Sequence, residues 1–385
     1  MTTIYLIRHA EAEGNLYRRI HGWYDALITE NGFRQIEALQ RRFQDVRVDA
    51  VWSSDLHRTM TTARAVYVPK GLELHTDPQL RELNFGDWED QPWGQVYRDE
   101  PERIGQFNRT DPAWRAPGGE SLAEAGRRAG GALERIAREH PDQTVAVFSH
   151  GTAMRQLLAN IKGLSPQEWH TMGHSENTAV TRLEWDGERF HIAFESDASH
   201  LDPSIATLGR QAWWRKDGVR REDVNLWYRP IRWPEERELY LEARREAWRS
   251  THGESVPFDG EGFLRDAQLH LSRTPWAVTA AMAGEKVAGL LQLDPERYSG
   301  EHAGYIPFCY ICPDRRGMGL GVQLIGQAVS FYRPLGRDSL RLRCAPYNSR
   351  AQHFYAKHGF RKIGEEQGSR VPLDILEKYI GYGEH

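Results

Sequence analysis

The chain has 385 residues, and at roughly 100 to 200 residues per domain this predicts two domains, each able to bury a core. Lysine plus arginine (50) against aspartate plus glutamate (54) gives a formal charge of −4, which leaves no positive excess to hold a polyanion and disfavours a dedicated nucleic-acid binder. Mean hydropathy is −0.67, and the longest apolar run, Tyr305 to Cys312, falls far short of the ~20 residues of a membrane helix, so no bilayer span is expected.

Met1 to Ile7 runs into Arg8-His9 without a basic n-region or a long apolar h-region, and three scattered cysteines cannot build a disulfide framework. The expectation is a cytoplasmic chain. Strands are predicted at Thr3 to Ile7, Asp49 to Ser53 and Thr144 to Ser149. Amphipathic helices are predicted where Phe33, Ile36, Leu39 and Phe43, and then Leu122, Ala125, Ala129, Leu133 and Ile136, recur at helical spacing. Thr178 to Trp185 and Arg189 to Glu195 flank Asp186-Gly187 as a hairpin. This alternation is that of an α/β sheet in a first domain spanning 1–198.

Residues 199–224, with Pro203, Gly209, Gly218 and mixed charge, read as a linker. Trp213-Trp214 beside Arg215-Lys216 and Arg220-Arg221 fits a linker docked by its tryptophans better than a base-stacking patch. A second α/β domain, 225–385, restarts with a strand at Leu226 to Ile231 and helices at Glu235 to Ser250 and Glu261 to Leu271. It continues with a hairpin at Ala283-Gly284-Glu285-Lys286, strands at Tyr305 to Ile311 and Ser339 to Cys344, and a helix at Arg350 to His358.

Arg8-His9 falls at the end of the first strand, Ser149-His150-Gly151 at the end of a later one, and Arg58 opens the helix after a strand ending at Ser53-Ser54. Ligand crevices of open α/β sheets lie beyond the carboxyl ends of strands, so these residues, up to about 140 positions apart, are expected to converge. Guanidinium forks match phosphate oxygens, flanking cations favour a neutral imidazole, and a neutral imidazole can attack phosphorus. Glu82, in Leu80-Arg81-Glu82-Leu83-Asn84-Phe85-Gly86, is the candidate acid for the leaving oxygen. Any one of these alone is more often a surface or satisfied core residue; the combination is what points to phosphoryl transfer.

The ordered set resembles the histidine phosphatase, or phosphoglycerate mutase-like, superfamily over roughly residues 3 to 198. The matching segments are Arg8-His9-Ala10-Glu11 with Asn15, His21-Gly22-Trp23-Tyr24-Asp25, Thr29-Glu30-Asn31-Gly32, Ser53 to Thr59, Glu82 with Asn84 to Glu89, and Ser149-His150-Gly151. The resemblance implies a three-layer α/β/α fold and a phosphohistidine formed on His9. It also implies Arg8, Arg58 and His150 on the phosphoryl group, Asn15, His21 and Gly22 at phosphate or substrate, Glu82 as proton donor, and no metal. Ala10 and Ala12 stand where glycine and threonine are usual, a change expected to be tolerated. Leu83 follows Glu82 where mutases usually carry arginine, and no arginine pair for a substrate carboxylate is found between Gly86 and Gly119. Water is therefore expected as acceptor, a phosphatase rather than a mutase.

Arg315-Arg316-Gly317-Met318-Gly319-Leu320-Gly321 sits at a strand-to-helix turn, where backbone N–H groups and a helix N-terminus can cradle a pyrophosphate. Neither the dinucleotide fingerprint nor the Walker lysine-serine pair is present. The stretch resembles motif A of the GNAT acetyltransferases, with Arg316, Gly319 and Gly321 in register, and Asn348 to Phe360 resembles motif B. The likeness covers about 226 to 382 and implies an α/β domain with a mixed sheet and acetyl-CoA as acyl donor to an amine acceptor. In that reading Ile311 lies along the pantetheine, Arg316, Gly317, Gly319 and Gly321 lie on the pyrophosphate, Asn348 lies nearby, and Tyr355 is the acid for the departing thiolate. Glu301 and His302 are weak candidates for the base and fit ordinary turn residues better; Cys309 and Cys312 read as strand residues facing opposite ways. The expected chain is thus a bifunctional enzyme. The alternatives are a mutase in the first half, or a GNAT half that senses acetyl-CoA without turning it over. The oligomeric state and both substrates are not legible.

Overall fold

The computed structural model describes residues 1–211, 224–368 and 371–383. Trp213-Trp214 and the basic residues around them therefore lie outside the described residues. The chain divides into two compact units, Met1–Gln91 with Val96–Gly218, and Pro92–Gln95 with Val219–His385.

The first stretch of chain runs β1 (Thr2–Arg8), α1 (Glu13–Tyr17), α2 (Glu30–Phe43), β2 (Ala50–Ser53), α3 (His57–Lys70), β3 (Leu74–Thr76), α4 (Trp93–Asp99), α5 (Pro101–Asn108), α6 (Leu122–Glu139), β4 (Thr144–Ser149), α7 (Gly151–Ile161), β5 (Val180–Trp185) and β6 (Phe190–Asp197). The sheet order is β3-β2-β4-β1-β5-β6. β3, β2, β4 and β1 are parallel, and β5 and β6 close the far side as an antiparallel hairpin. Arg8 pairs with Ser149 and Ser53 with Phe148, so three strands end at one level.

Local chemistry sets these elements. Thr29 caps α2 by accepting from Gly32 N–H, and Ser121 and Glu124 form a reciprocal capping box at α6. The apolar stripes of α2 (Ile36, Leu39, Phe43) and α3 (Ala63, Val66) pack on Ile7, Val51, Ala146 and Phe148. The alternate residues Ile4, Leu6, Val145 and Val147 are fully buried on the other face, the side of α6. Ala10 and Ala12 are buried without positive φ, so their methyl groups are accommodated.

The segment read as a linker from residue 199 belongs, as far as it is described, to this unit. Ile205 O accepts from Asn31 and Gln35, Thr207 and Leu208 N–H bind Glu176, and Thr207 Oγ1 donates to Glu11 at 3.0 Å. Buried backbone needs such partners, and polar residues of α2, of the loop after β1 (Glu11) and of the loop before β5 (Glu176) supply them.

The second unit contains β7 (Trp227–Pro230), α8 (Arg237–His252), α9 (Gly260–Leu271), β8 (Val278–Ala283), β9 (Lys286–Asp294), β10 (Ala303–Ile311), α10 (Gly321–Tyr332), β11 (Ser339–Cys344), α11 (Ser349–Lys357), β12 (Arg361–Gln367) and β13 (Pro372–Tyr379). Its order is β12-β13-β11-β10-β9-β8-β7, a mixed sheet in which β10 and β11 are the parallel pair. Tyr240, Ala243, Leu264 and Ala267 of α8 and α9 pack on Val278, Leu290, Phe308 and Tyr310. β10 and β11 pair from Ala303↔Ser339 only as far as Ile306↔Leu342, then part. A register shift between Tyr305 and Phe308, where Pro307 offers no N–H, bends β10 away and opens a wedge. No helix among the described residues is long and apolar enough to cross a membrane.

Candidate active sites

In the first unit the strand ends bring Arg8, His9, Arg58 and His150 together. The rings of His9 and His150 lie 5.2 Å apart, centroid to centroid. His9 Nδ1 lies 2.7 Å from the carbonyl of Ala10. A carbonyl only accepts, so Nδ1 carries the proton and the Nε2 lone pair is left as the nucleophile. Burial first, then the charges of Arg58 and Arg8, hold His9 well below the usual imidazole value, and the Ala10 carbonyl opposes them only in part. His150 is held well below it by burial, Arg58 and His9. Both rings are thus neutral.

Arg58 is 1% exposed, and burial lowers its pKa against the opposing charges of Asp25, Glu82 and Glu89. Its guanidinium donates to Gly22 O at 2.6 Å, Tyr24 O at 3.1 Å and His21 O at 3.3 Å. Arg8 donates Nη1 to Ser175 O, while its Nε, like Nδ1 of His150, is buried without a partner. Buried polar atoms rarely stay unpaired, and two at the carboxyl ends of the paired strands β1 and β4 mark a place for an anion.

Glu82 lies outside helix and strand, as expected, and its carboxylate caps α7. Oε1 accepts from Leu83 and Ala153 N–H at 2.8 Å and Oε2 from Thr152 N–H at 3.0 Å. The charge of Glu82 reaches both Arg8 and Arg58.

The predicted substrate contacts are placed differently. Asn15 lies on α1 and spends Oδ1 on Ala12 N–H at 3.1 Å, so any contact with a phosphoryl oxygen falls to its NH2. The ring of His21 pairs through Nε2 with Asp90 at 3.1 Å, leaving Nδ1 buried and unpaired. Burial opposes ionisation of Asp90, but His21 and Arg19 hold it down at about 2. Gly22 serves through its backbone: a Cβ there would come within 2.2 Å of Leu83 O.

Sequence reasoning missed three residues. Ser54 Oγ lies 2.9 Å from His150 Nε2, and Asn177 donates to His9 O at 2.8 Å. Arg128, on the polar face of α6, donates to the carbonyls of Gln79, Arg81 and Glu82 at 2.7 to 3.0 Å and pairs with Glu120. Ser54 stands inside the Ser53 to Thr59 segment without a role read for it, and Asn177 and Arg128 stand in no recognisable spacing, since each reaches a segment distant in the chain.

In the second unit the glycine turn opens α10. Gly317 and Gly319 have φ of +80° and +76°, conformations that favour glycine and let successive N–H groups converge. This turn and the β10–β11 wedge fit a pyrophosphate with a narrow arm behind it. The side chain of Arg316 is spent within the fold: its Nε donates to Ile311 O at 2.9 Å and its fork holds Glu246, which leaves its backbone to face the turn. Asn348 caps α11 by accepting from Ala351 N–H and donates to Thr251, a structural use of a residue expected near the cofactor.

Tyr355, on α11, hydrogen-bonds Cys309, which lies on β10 beyond its pairing with β11. Burial, then Cys309 and Cys344, hold the phenol well above its ordinary value, and burial pushes the Cys309 thiol up to about 12. Tyr355 therefore keeps its proton at the wedge. Cys312 faces the α8–α9 core instead. Glu301 is tied to Arg341, and His302 sits in the same turn with φ +53° beside Gly336 O.

Residues 4–197 match the histidine phosphatase superfamily (branch 1), and residues 233–360 match the acetyltransferase (GNAT) family. A protein named probable phosphoglycerate mutase GpmB, from Yersinia pestis (strain Pestoides F), is 35% identical over 217 residues, 54% of this chain and 100% of that one. The protein of the same name from Yersinia pseudotuberculosis serotype O:1b (strain IP 31758) matches to the same extent. Among solved structures, Bacillus stearothermophilus YhfR superposes with a TM-score of 0.51 and 31% identity, covering 52% of this chain and 100% of its own. The chain belongs to the histidine phosphatase superfamily and carries a GNAT acetyltransferase domain in the same polypeptide.

Proposed function

We propose that the chain is a bifunctional enzyme, a metal-independent phosphatase of a small phosphoester joined to an acetyl-CoA-dependent N-acetyltransferase, with the two units acting as separate domains. The observation that carries the first activity is a neutral His9, proton on Nδ1, under the charges of the buried Arg58 and the half-buried Arg8. His9 Nε2 attacks phosphorus, the ester P–O bond breaks, and the leaving oxygen takes a proton from Glu82, which enters this step in its protonated form. Arg8, Arg58 and His150 hold the phosphoryl oxygens as charge gathers on them. Water then attacks the phosphohistidine, gives its proton to Glu82 and releases inorganic phosphate, restoring His9.

Leu83 after Glu82, where mutases usually carry arginine, favours water as acceptor. The mutase name of the Yersinia relatives keeps the second reading in play. A panel of small phosphoesters including 3-phosphoglycerate, with and without a bisphosphorylated primer, separates the two. Release of phosphate without primer supports the phosphatase; phosphate moved between positions only with primer makes the domain a mutase.

Acetyl-CoA supplies a thioester-activated acetyl group. The turn from Gly317 to Gly321 would bind its diphosphate through N–H groups, the wedge beyond Ile306 would take its arm, and Tyr355 holds a phenolic proton where a thiolate departs. Thiol release with a panel of small amines tests this half.

A further inference from the structure

Arg58 is held by a strap of backbone, and Glu82 stands on a separate loop. Two links join them: the Trp23 indole of the strap donates to Glu82 O at 2.8 Å, and the Glu89 carboxylate gathers N–H groups from both. Glu89 accepts from the N–H groups of Gly22 at 3.0 Å, Trp23 at 2.7 Å and Tyr24 at 2.8 Å, and from Phe85 N–H at 3.0 Å. The first three belong to the strap whose carbonyls, at His21, Gly22 and Tyr24, receive the Arg58 guanidinium. The fourth lies on the loop that carries Glu82. Four donors fill the acceptor sites of a carboxylate, so Glu89 has no capacity left for a substrate.

The strap and loop lie in direct contact: a Cβ on Gly22 would come within 2.4 Å of Glu89 Oε1 and 2.7 Å of the Phe85 ring. Glu89 also supplies part of the negative charge that opposes the cost of burying Arg58. The carboxylate therefore fixes where the cation stands relative to the proton donor.

We infer that Glu89 is a positioning residue for phosphoryl transfer, acting through Arg58 and the Glu82 loop rather than by touching substrate. This rests on the phosphatase reading of the same site. Glu89→Gln places an NH2 donor against N–H donors and leaves one oxygen, so the strap shifts against the loop with the Trp23–Glu82 hydrogen bond as the remaining tie.

The test is orthovanadate binding by calorimetry, which needs no turnover, alongside thermal unfolding. Glu89→Gln is expected to raise the vanadate Kd at least tenfold while Tm falls by only a few degrees. Glu124→Gln, which removes a comparable capping carboxylate at α6, lowers Tm and leaves the Kd unchanged. In an Arg58→Ala background the effect of Glu89→Gln on vanadate is expected to vanish, because both changes remove the same contact. If Glu89→Gln does not accumulate as folded protein, Glu89→Asp, with both oxygens on a shorter arm, carries the same comparison. An unchanged vanadate Kd with a lowered Tm, or additive effects of the two substitutions, overturns the inference. A wild type that binds vanadate but releases phosphate from no ester overturns the phosphatase reading and leaves the Glu89 result standing.

Discussion

The guanidinium of Arg58 donates to the carbonyl of Gly22 at 2.6 Å, and with Tyr24 and His21 it takes three carbonyls of one strap. A lysine has a single ammonium on a flexible stem and cannot span them as a planar fork does. Arg58→Lys is expected to weaken binding of inorganic phosphate by about 10-fold or more, the scale of a lost charge-assisted hydrogen bond. Competitive inhibition by phosphate measures it; an unchanged inhibition constant would show that charge alone is sufficient there.

Acid is expected to destabilise the fold through its buried imidazoles. Burial is the largest cause holding His9, His150 and His21 below the usual imidazole value, and burial with the charge of Arg42 holds His200 at about 4. Unfolded imidazoles titrate near 6.5, roughly, so below that pH the unfolded chain binds more protons. The stabilisation is whole above pH 6.5 and lost as pH falls toward the depressed folded values. Tm should drop between pH 7 and 4.5, and His200→Gln should shrink the drop. A Tm that is flat or rises with acid contradicts this.

Much of this was legible in the sequence where side-chain periodicity and site chemistry coincide. β1 and β4 are continuous apolar runs ending in Arg8-His9 and Ser149-His150, and α2 and α6 carry clear stripes and caps. α3 is harder, because its buried face mixes Arg58, Thr59 and Thr62 with Ala63 and Val66, which blurs its apolar stripe. β3 is three residues long, and β12 reads Arg-Lys-Ile-Gly-Glu-Glu-Gln, a charged strand at the sheet edge with no period-two signal. In the sites, residue types could be read but not how each side chain is spent. Arg316 and Asn348 stand at the expected motif positions yet bond within the fold, while Arg128 looked like an ordinary polar residue of α6.

Arg128 holds three carbonyls of the segment ending at Glu82. Arg128→Met frees that loop, and a displacement of about 1 Å at a proton donor can cost on the order of 100-fold. The expected result is a fall in kcat larger than any rise in KM, measured by steady-state phosphate release. A change confined to KM would assign Arg128 to substrate binding instead.

Tyr355→Phe removes the phenolic proton at the wedge and leaves the ring in place. Acetyl transfer to an amine should fall by roughly 100-fold or more, the scale of lost general acid catalysis, with binding of CoA unchanged. Thiol release and calorimetry measure the two. CoA binding without turnover in the wild type, with a change in phosphatase rate, would make the domain a sensor.

The central claim is that His9 becomes phosphorylated. The direct measurement is phosphate release from an aryl phosphate by wild type and His9→Ala, with chelator present. The account predicts release that survives chelator and falls by about a thousandfold or more in His9→Ala. Release that persists in His9→Ala, or none from the wild type, would contradict it.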